Sequence, residues 1–100
     1  MVKHIILWQL KEEYSKEEKE TIKADIKTGL ESLKGKIPGL EEIHVHTNGL
    51  PSSNADLMLD SAFTDAEALK GYAVHPEHVK VADGKVRPHT QNRVCLDFEV

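Results

Sequence analysis

Between Lys70 and Gly84 the chain reads KGYAVHPEHVKVADG, which sets Tyr72, His75 and His78 around Pro76. A phenol and an imidazole suit proton transfer. Histidine, with a pKa near 6.5, accepts a proton at neutral pH. A phenol, of ordinary pKa about 10, donates a hydrogen bond or a proton to a developing enolate. On an unbroken helix, residues six apart lie about 240° around the axis and diverge. The proline removes that objection. His75 precedes it and is pushed out of helical geometry. Pro76 suits the first position of a new turn, from which His78 can fold back toward Tyr72. The rival reading packs the Tyr72 ring under a helix while His78 bonds a backbone carbonyl.

The remaining reactive side chains are more scattered. His4 sits among Val2, Ile6 and Trp8. A lone histidine on an apolar strand face is usually a satisfied core residue. It reads as a polar contact between the first strand and the HPEH segment, lining a pocket as a by-product. Trp8 either narrows that pocket or fills the core. His44 and His46 are two apart and share a strand face, but a metal needs a third ligand there and none is evident. They read as solvated side chains beside Glu42. His75 reads as partly exposed, His89 falls in the loop RPHTQN with no role, and Asp83 alone makes a poor cation site. Cys95 is the only cysteine, so an internal disulfide is excluded and a cysteine-based zinc site lacks ligands. It reads as a buried or dimer-facing thiol. Neither a metal nor an organic cofactor is expected.

These residues need elements to place them. One hundred residues make one domain, residues 1–100. Val2–Leu10 reads as a central strand, because Ile6 and Trp8 point one way and Ile5 and Leu7 the other. SKEE at Ser15–Glu18 is a capping box that opens a helix. Ile22, Ile26, Leu30, Leu33 and Ile37 form its apolar stripe. Gly35 and then Pro38-Gly39 end it. Leu40–Thr47 and Ala55–Phe63 read as strands two and three, with NGLPSSN turning between them. TDAE reads as a second capping box, Thr64 with Glu67, for a helix reaching about Val74. Asp83-Gly84 marks a loop, and Arg93–Val100 is the last strand.

The order βαββαβ implies an α+β, ferredoxin-like fold: a four-stranded antiparallel sheet with helices on one face. Strands one and three carry apolar residues on both faces. A second copy of the sheet is the simplest cover for the uncovered face, giving a homodimeric barrel. A net charge of −4 with no basic run longer than two argues against nucleic acid. No stretch approaches the roughly 20 apolar residues of a membrane span, and the Ile5–Trp8 run is too short for a signal-peptide core. A reducing cytoplasm is the expected setting.

The opening VKHIILWQLK, the middle ADLMLDSAFTDAEALKGYAVHPEHVKV and the closing RVCLDFEV resemble the stress-responsive A/B barrel (Dabb) family. The resemblance covers nearly the whole chain and is most specific from the third strand to HPEH. It implies a dimeric α+β barrel. Plant members of that family that cyclise polyketides without a cofactor use an acid–base tyrosine and histidine matching Tyr72 and His78. A first-strand histidine of theirs matches His4, while a further pocket histidine falls on Leu57 here. The resemblance therefore implies a small, mostly apolar pocket between helices and sheet. Its walls are expected from Ile6, Trp8, Ile22, Ile26, Leu57 and Leu59, and its polar contacts from Tyr72, His78 and His4. The guest is expected to be a small organic molecule of aromatic or polyketide-like type. Other plant members are stress proteins that form stable oligomers, so a non-catalytic assembly protein is the alternative.

Overall fold

Strand β1 (Val2–Leu10) owes its central place to its two apolar faces, and it lies between two antiparallel neighbours. The computed structural model describes all residues, Met1–Val100. The other elements are α1 (Lys16–Glu31), β2 (Leu40–His46), β3 (Leu57–Phe63), α2 (Ala66–Val74), α3 (Pro76–Val81), a π-helical turn (Ala82–Val86) and β4 (Thr90–Glu99). The sheet order is β2-β3-β1-β4. This is the ferredoxin-like arrangement that the element order implies.

The register sorts side chains cleanly between the two faces. Ile6, Trp8, Leu10, Leu57, Leu59, Phe63, Ile43 and Val45 turn toward the helices and form one core with Ile26, Leu30, Leu33 and Ile37. On the opposite face Ile5 pairs with Leu96, and Leu7 pairs with Val94. Val94, Leu96 and Phe98 are 65%, 64% and 40% exposed, so the outer face, polar over β2, is apolar over β1 and β4.

Helix α1 begins as its sequence dictates. The Ser15 hydroxyl accepts from the Glu18 N–H at 3.1 Å, and the Glu18 carboxylate accepts from the Ser15 N–H at 2.8 Å. The Ser15 N–H, and after it the Ser15 hydroxyl, hold the Glu18 carboxyl below its usual pKa. The helix stops at Glu31, and Gly35 and Gly39, with φ of 86° and 81°, turn the chain into β2. Glu31 accepts from the Val45 N–H at 2.9 Å, while Lys27 donates to the Val45 carbonyl at 2.8 Å. One backbone N–H and C=O on the outer edge of β2 are thus satisfied by α1, which blunts that edge of the sheet.

Two local expectations are corrected. The cap of α2 is Asp65, not Thr64: the Asp65 carboxylate accepts from the Ala68 N–H at 2.8 Å. The Thr64 N–H instead donates to the Gly39 carbonyl at 2.9 Å, tying it to the start of β2 and moving the cap one residue on. Asp83-Gly84 is not a loop. It lies in the π-helical turn, where the Arg87 N–H reaches the Ala82 carbonyl at 2.8 Å and Asp83 pairs with Arg87. This wide turn feeds β4, which starts at Thr90 rather than Arg93.

Candidate functional site

Helices α1 and α2 lie over β2, β3 and β1, and β4 at the sheet edge is left without a helix directly on it. The result is a cavity of about 790 Å³ between the inner face of β1 and β4 and the run from α2 to the π-helical turn. Most of its lining residues are hydrophobic, and the charged ones are Lys70, Arg87, Arg93, Asp97 and Glu99. Of the expected wall residues, Ile6, Trp8 and Leu59 line it, together with Tyr72, His78 and His4. Ile22, Ile26 and Leu57 do not. Ile26 and Leu57 are buried within the core, and Ile22 packs at its margin. The space does lie between helices and sheet, but the sheet order opens it over β4, so Leu30 is the one α1 residue that lines it.

The chain break that brings Tyr72 and His78 together is visible in the backbone. His75 takes extended φ and ψ of −66° and 132°, and Pro76 opens α3. The His75 imidazole also caps that helix, its Nδ1 accepting from the Glu77 N–H at 3.1 Å. This role was not read from the sequence, although a side-chain acceptor just before a helix-opening proline is a usable signal. The Tyr72 and His78 rings then lie 4.1 Å apart between centroids, tilted by 34°.

Tyr72 is buried, with Phe63 edge-on at 5.0 Å between centroids. Its hydroxyl is buried and has no hydrogen-bond partner. Burial pushes the phenol pKa well above its ordinary value, so the group is a donor and not an anion. His78 responds in the opposite sense. Burial lowers its pKa, the hydrogen bond to the Ala73 carbonyl opposes that, Arg87 and His4 add to the lowering, and Asp83 offsets them. Nδ1 lies 3.3 Å from the Ala73 carbonyl and donates to it, which leaves Nε2 as the basic nitrogen. The arrangement supplies a neutral base beside a neutral acid.

A pH dependence follows from that lowered pKa. Above about 6.5 His78 is neutral in both folded and unfolded chains. As the pH falls below that value, the unfolded chain takes up the proton first. His78 therefore costs the fold stability between about pH 6.5 and its lower folded pKa. Urea unfolding of the wild type and His78→Gln should diverge in that acid window and run parallel above it. Parallel curves at every pH would contradict the burial.

His4 is placed differently from expectation. It lines the cavity, but its Nδ1 pairs with the Asp97 carboxylate on β4 and not with the HPEH segment. The register explains this, because His4 and Asp97 are direct cross-strand partners. Cys95 follows the same face two residues earlier. It is turned to the cavity rather than to the apolar outer face, with Sγ 3.5 Å from Asp97 Oδ1 and 3.7 Å from His4 Nδ1. Burial and then the Asp97 charge raise the thiol pKa, so Cys95 is protonated at neutral pH and poorly nucleophilic. Among the six histidines, His44 and His46 lie on the outer face, with His46 Nε2 4.0 Å from Asp60. His89 Nδ1 lies 2.8 Å from the Lys85 carbonyl and its ring packs near Tyr14, a structural role.

The family sequence model described as Stress responsive A/B Barrel Domain (Dabb) matches residues 2–100. The chain belongs to this family. No curated protein matches it. Among solved structures, it is similar to a dimeric protein of unknown function with a ferredoxin-like fold from Bacteroides fragilis NCTC 9343. That pair share 33% identity over 99% of this chain and 95% of the other, with a TM-score of 0.92. A dimeric ferredoxin-like protein of unknown function from Thermobifida fusca YX aligns at 21% identity over 99% and 90% of the chains, with a TM-score of 0.82. The hydroxynitrile lyase of Passiflora edulis aligns at 20% identity over 97% and 90%, with a TM-score of 0.72. In this Dabb chain the Tyr72–His78 pair comes from the α2–α3 bend, and the other polar side of the cavity comes from β1 and β4.

Proposed function

We propose that this Dabb protein is a homodimer, joined through the outer sheet face, that works in the cytoplasm. Its cavity binds a small, largely apolar organic molecule, and Tyr72 and His78 act on that molecule by acid–base chemistry without a cofactor. In this reading Tyr72 donates a hydrogen bond to a ligand oxygen, and His78 Nε2 removes a proton from a neighbouring carbon. The observation that carries it is Tyr72, a cavity-lining residue stacked near the His78 imidazole, whose hydroxyl is buried and left without a partner. An unpaired buried hydroxyl costs about 1–3 kcal/mol, a cost removed when a ligand accepts its hydrogen. The likeness to the Passiflora lyase, at 20% identity, supports the fold and leaves the reaction to be argued from these two residues. The family resemblance to polyketide cyclases supports the same pair, while Leu57 stands where those enzymes carry a further histidine. The dimeric neighbours and the exposed Val94, Leu96 and Phe98 support the assembly.

The test is a thermal-shift screen of aromatic ketones and related small carbonyl compounds. Tyr72→Phe should stabilise the free protein by about 1–2 kcal/mol, because it deletes an unsatisfied hydroxyl and keeps the ring. The same substitution, and His78→Ala, should weaken any hit about tenfold or more while preserving the dimer. Hits that bind both variants as well as the wild type would reject the site. Loss of folding in His78→Ala, with no hit for the wild type, would favour a non-catalytic assembly protein.

A further inference from the structure

Opposite Tyr72 and His78, the β1–β4 wall of the cavity gathers three different donor types. His4 Nδ1, Cys95 Sγ and Asp97 Oδ1 all lie within 4.8 Å of one another. Their arrangement separates two readings. In a nucleophilic triad the imidazole bridges: one ring nitrogen faces the nucleophile and the other faces the carboxylate. Here the same nitrogen, Nδ1, faces both the sulfur and the carboxylate. The three atoms converge on one point, as ligands around a single ion do.

We propose that His4, Cys95 and Asp97 form a three-ligand site for a borderline divalent cation such as Zn²⁺. At Zn–S of about 2.3 Å and Zn–N or Zn–O of about 2.0–2.1 Å, tetrahedral ligands stand about 3.3–3.6 Å apart. The sulfur lies 3.7 Å from His4 Nδ1 and 3.5 Å from Asp97 Oδ1, close to that spacing. The His4–Asp97 pair is closer and must open to admit an ion. Asp97 can move: its side chain is 45% exposed on an edge strand, whereas that of His4 is 9% exposed and held. On binding, the thiol releases its proton to solvent, and the imidazole proton passes to Nε2. Thiolate and carboxylate together then neutralise the two positive charges. Three protein ligands leave a fourth position, which is the pattern of an open site rather than a closed structural one. Residues 4, 95 and 97 reach it through register alone, since His4 faces Asp97 directly and Cys95 shares Asp97's side of β4. A lone cysteine excludes a cysteine-based site and leaves a mixed one available.

The ion would share the cavity with Tyr72 and His78 without taking part in their acid–base step, and its test needs no organic ligand. Reduced, chelator-treated full-length protein is titrated with Co²⁺. One Co²⁺ should bind per chain, with a thiolate-to-cobalt charge-transfer band in the near ultraviolet, and Zn²⁺ should displace it. Cys95→Ser should abolish the band, and Asp97→Asn should weaken binding at least tenfold. Absence of saturable binding to the wild type overturns the proposal. So does binding without the band, or binding that survives Cys95→Ser unchanged and disappears in His46→Gln, which would put the ion on the outer face. The wild-type spectrum and Cys95→Ser decide the matter even if Asp97→Asn fails to fold.

Discussion

Leu96→Asp should turn a dimer into a monomer in sedimentation at micromolar concentration, with an unchanged far-ultraviolet spectrum. Leu96 is 64% exposed and faces away from the core, so the fold has little reason to resist the change. The proposed interface does. Leu96 pairs with Ile5 beside the Leu7–Val94 pair, making an apolar surface that a second sheet would cover. In a twofold interface each substitution appears twice. Losing a leucine's burial and desolvating an unpaired carboxylate costs about 2 kcal/mol or more at each position. Two such positions amount to about 4 kcal/mol, roughly a thousandfold in Kd. A Leu96→Asp protein that still sediments as a dimer would place the interface elsewhere.

Gly39→Ala should be the most destabilising alanine substitution in a loop, at about 2–5 kcal/mol in urea unfolding. Two terms contribute. Gly39 has φ of 81°, a left-handed conformation that costs a side chain about 1–2 kcal/mol. An added Cβ would also stand 2.4 Å from the Ala68 Cβ and 3.0 Å from the Thr64 hydroxyl, an overlap worth about 1–3 kcal/mol. Gly35 is the internal control, with φ of 86° and no atom within 4 Å of the added carbon. Gly35→Ala should cost the conformational term alone. If the two substitutions cost the same, Gly39 does not hold α2 against β2. If Gly39 is the larger, α2 moves with it, and Tyr72 with α2.

The sequence is legible where local chemistry and tertiary demand agree. The Ser15–Glu18 box and the alternation of β1 each point one way and are found in the structure, whereas the α1 stripe holds only as far as Leu30: the helix stops at Glu31, and Leu33 and Ile37 reach the core from the turns that follow. The bend at His75-Pro76 is readable for the same reason: a proline restricts its neighbours whatever surrounds them. The cap of α2 was harder, because TDAE offers two adjacent side-chain acceptors and the choice depends on Gly39, which lies 25 residues away. The cavity walls failed in the same way. Ile22 and Ile26 share the apolar stripe of α1, but the sheet order decides which part of that stripe meets empty space. The grouping of His4, Cys95 and Asp97 depends on the β1–β4 register, which periodicity alone does not set.

The extended backbone at His75 has one more implication. It separates the phenol's carrier from the imidazole's carrier by a single joint, with α2 packed near the sheet and α3 leading into the wide turn before β4. The spacing of the two rings is therefore set where α2 meets α3, and α3 is in turn held against α1 and the π-helical turn. A change of residue at this joint would move the phenol and the imidazole relative to each other, because each is carried by the helix on its own side.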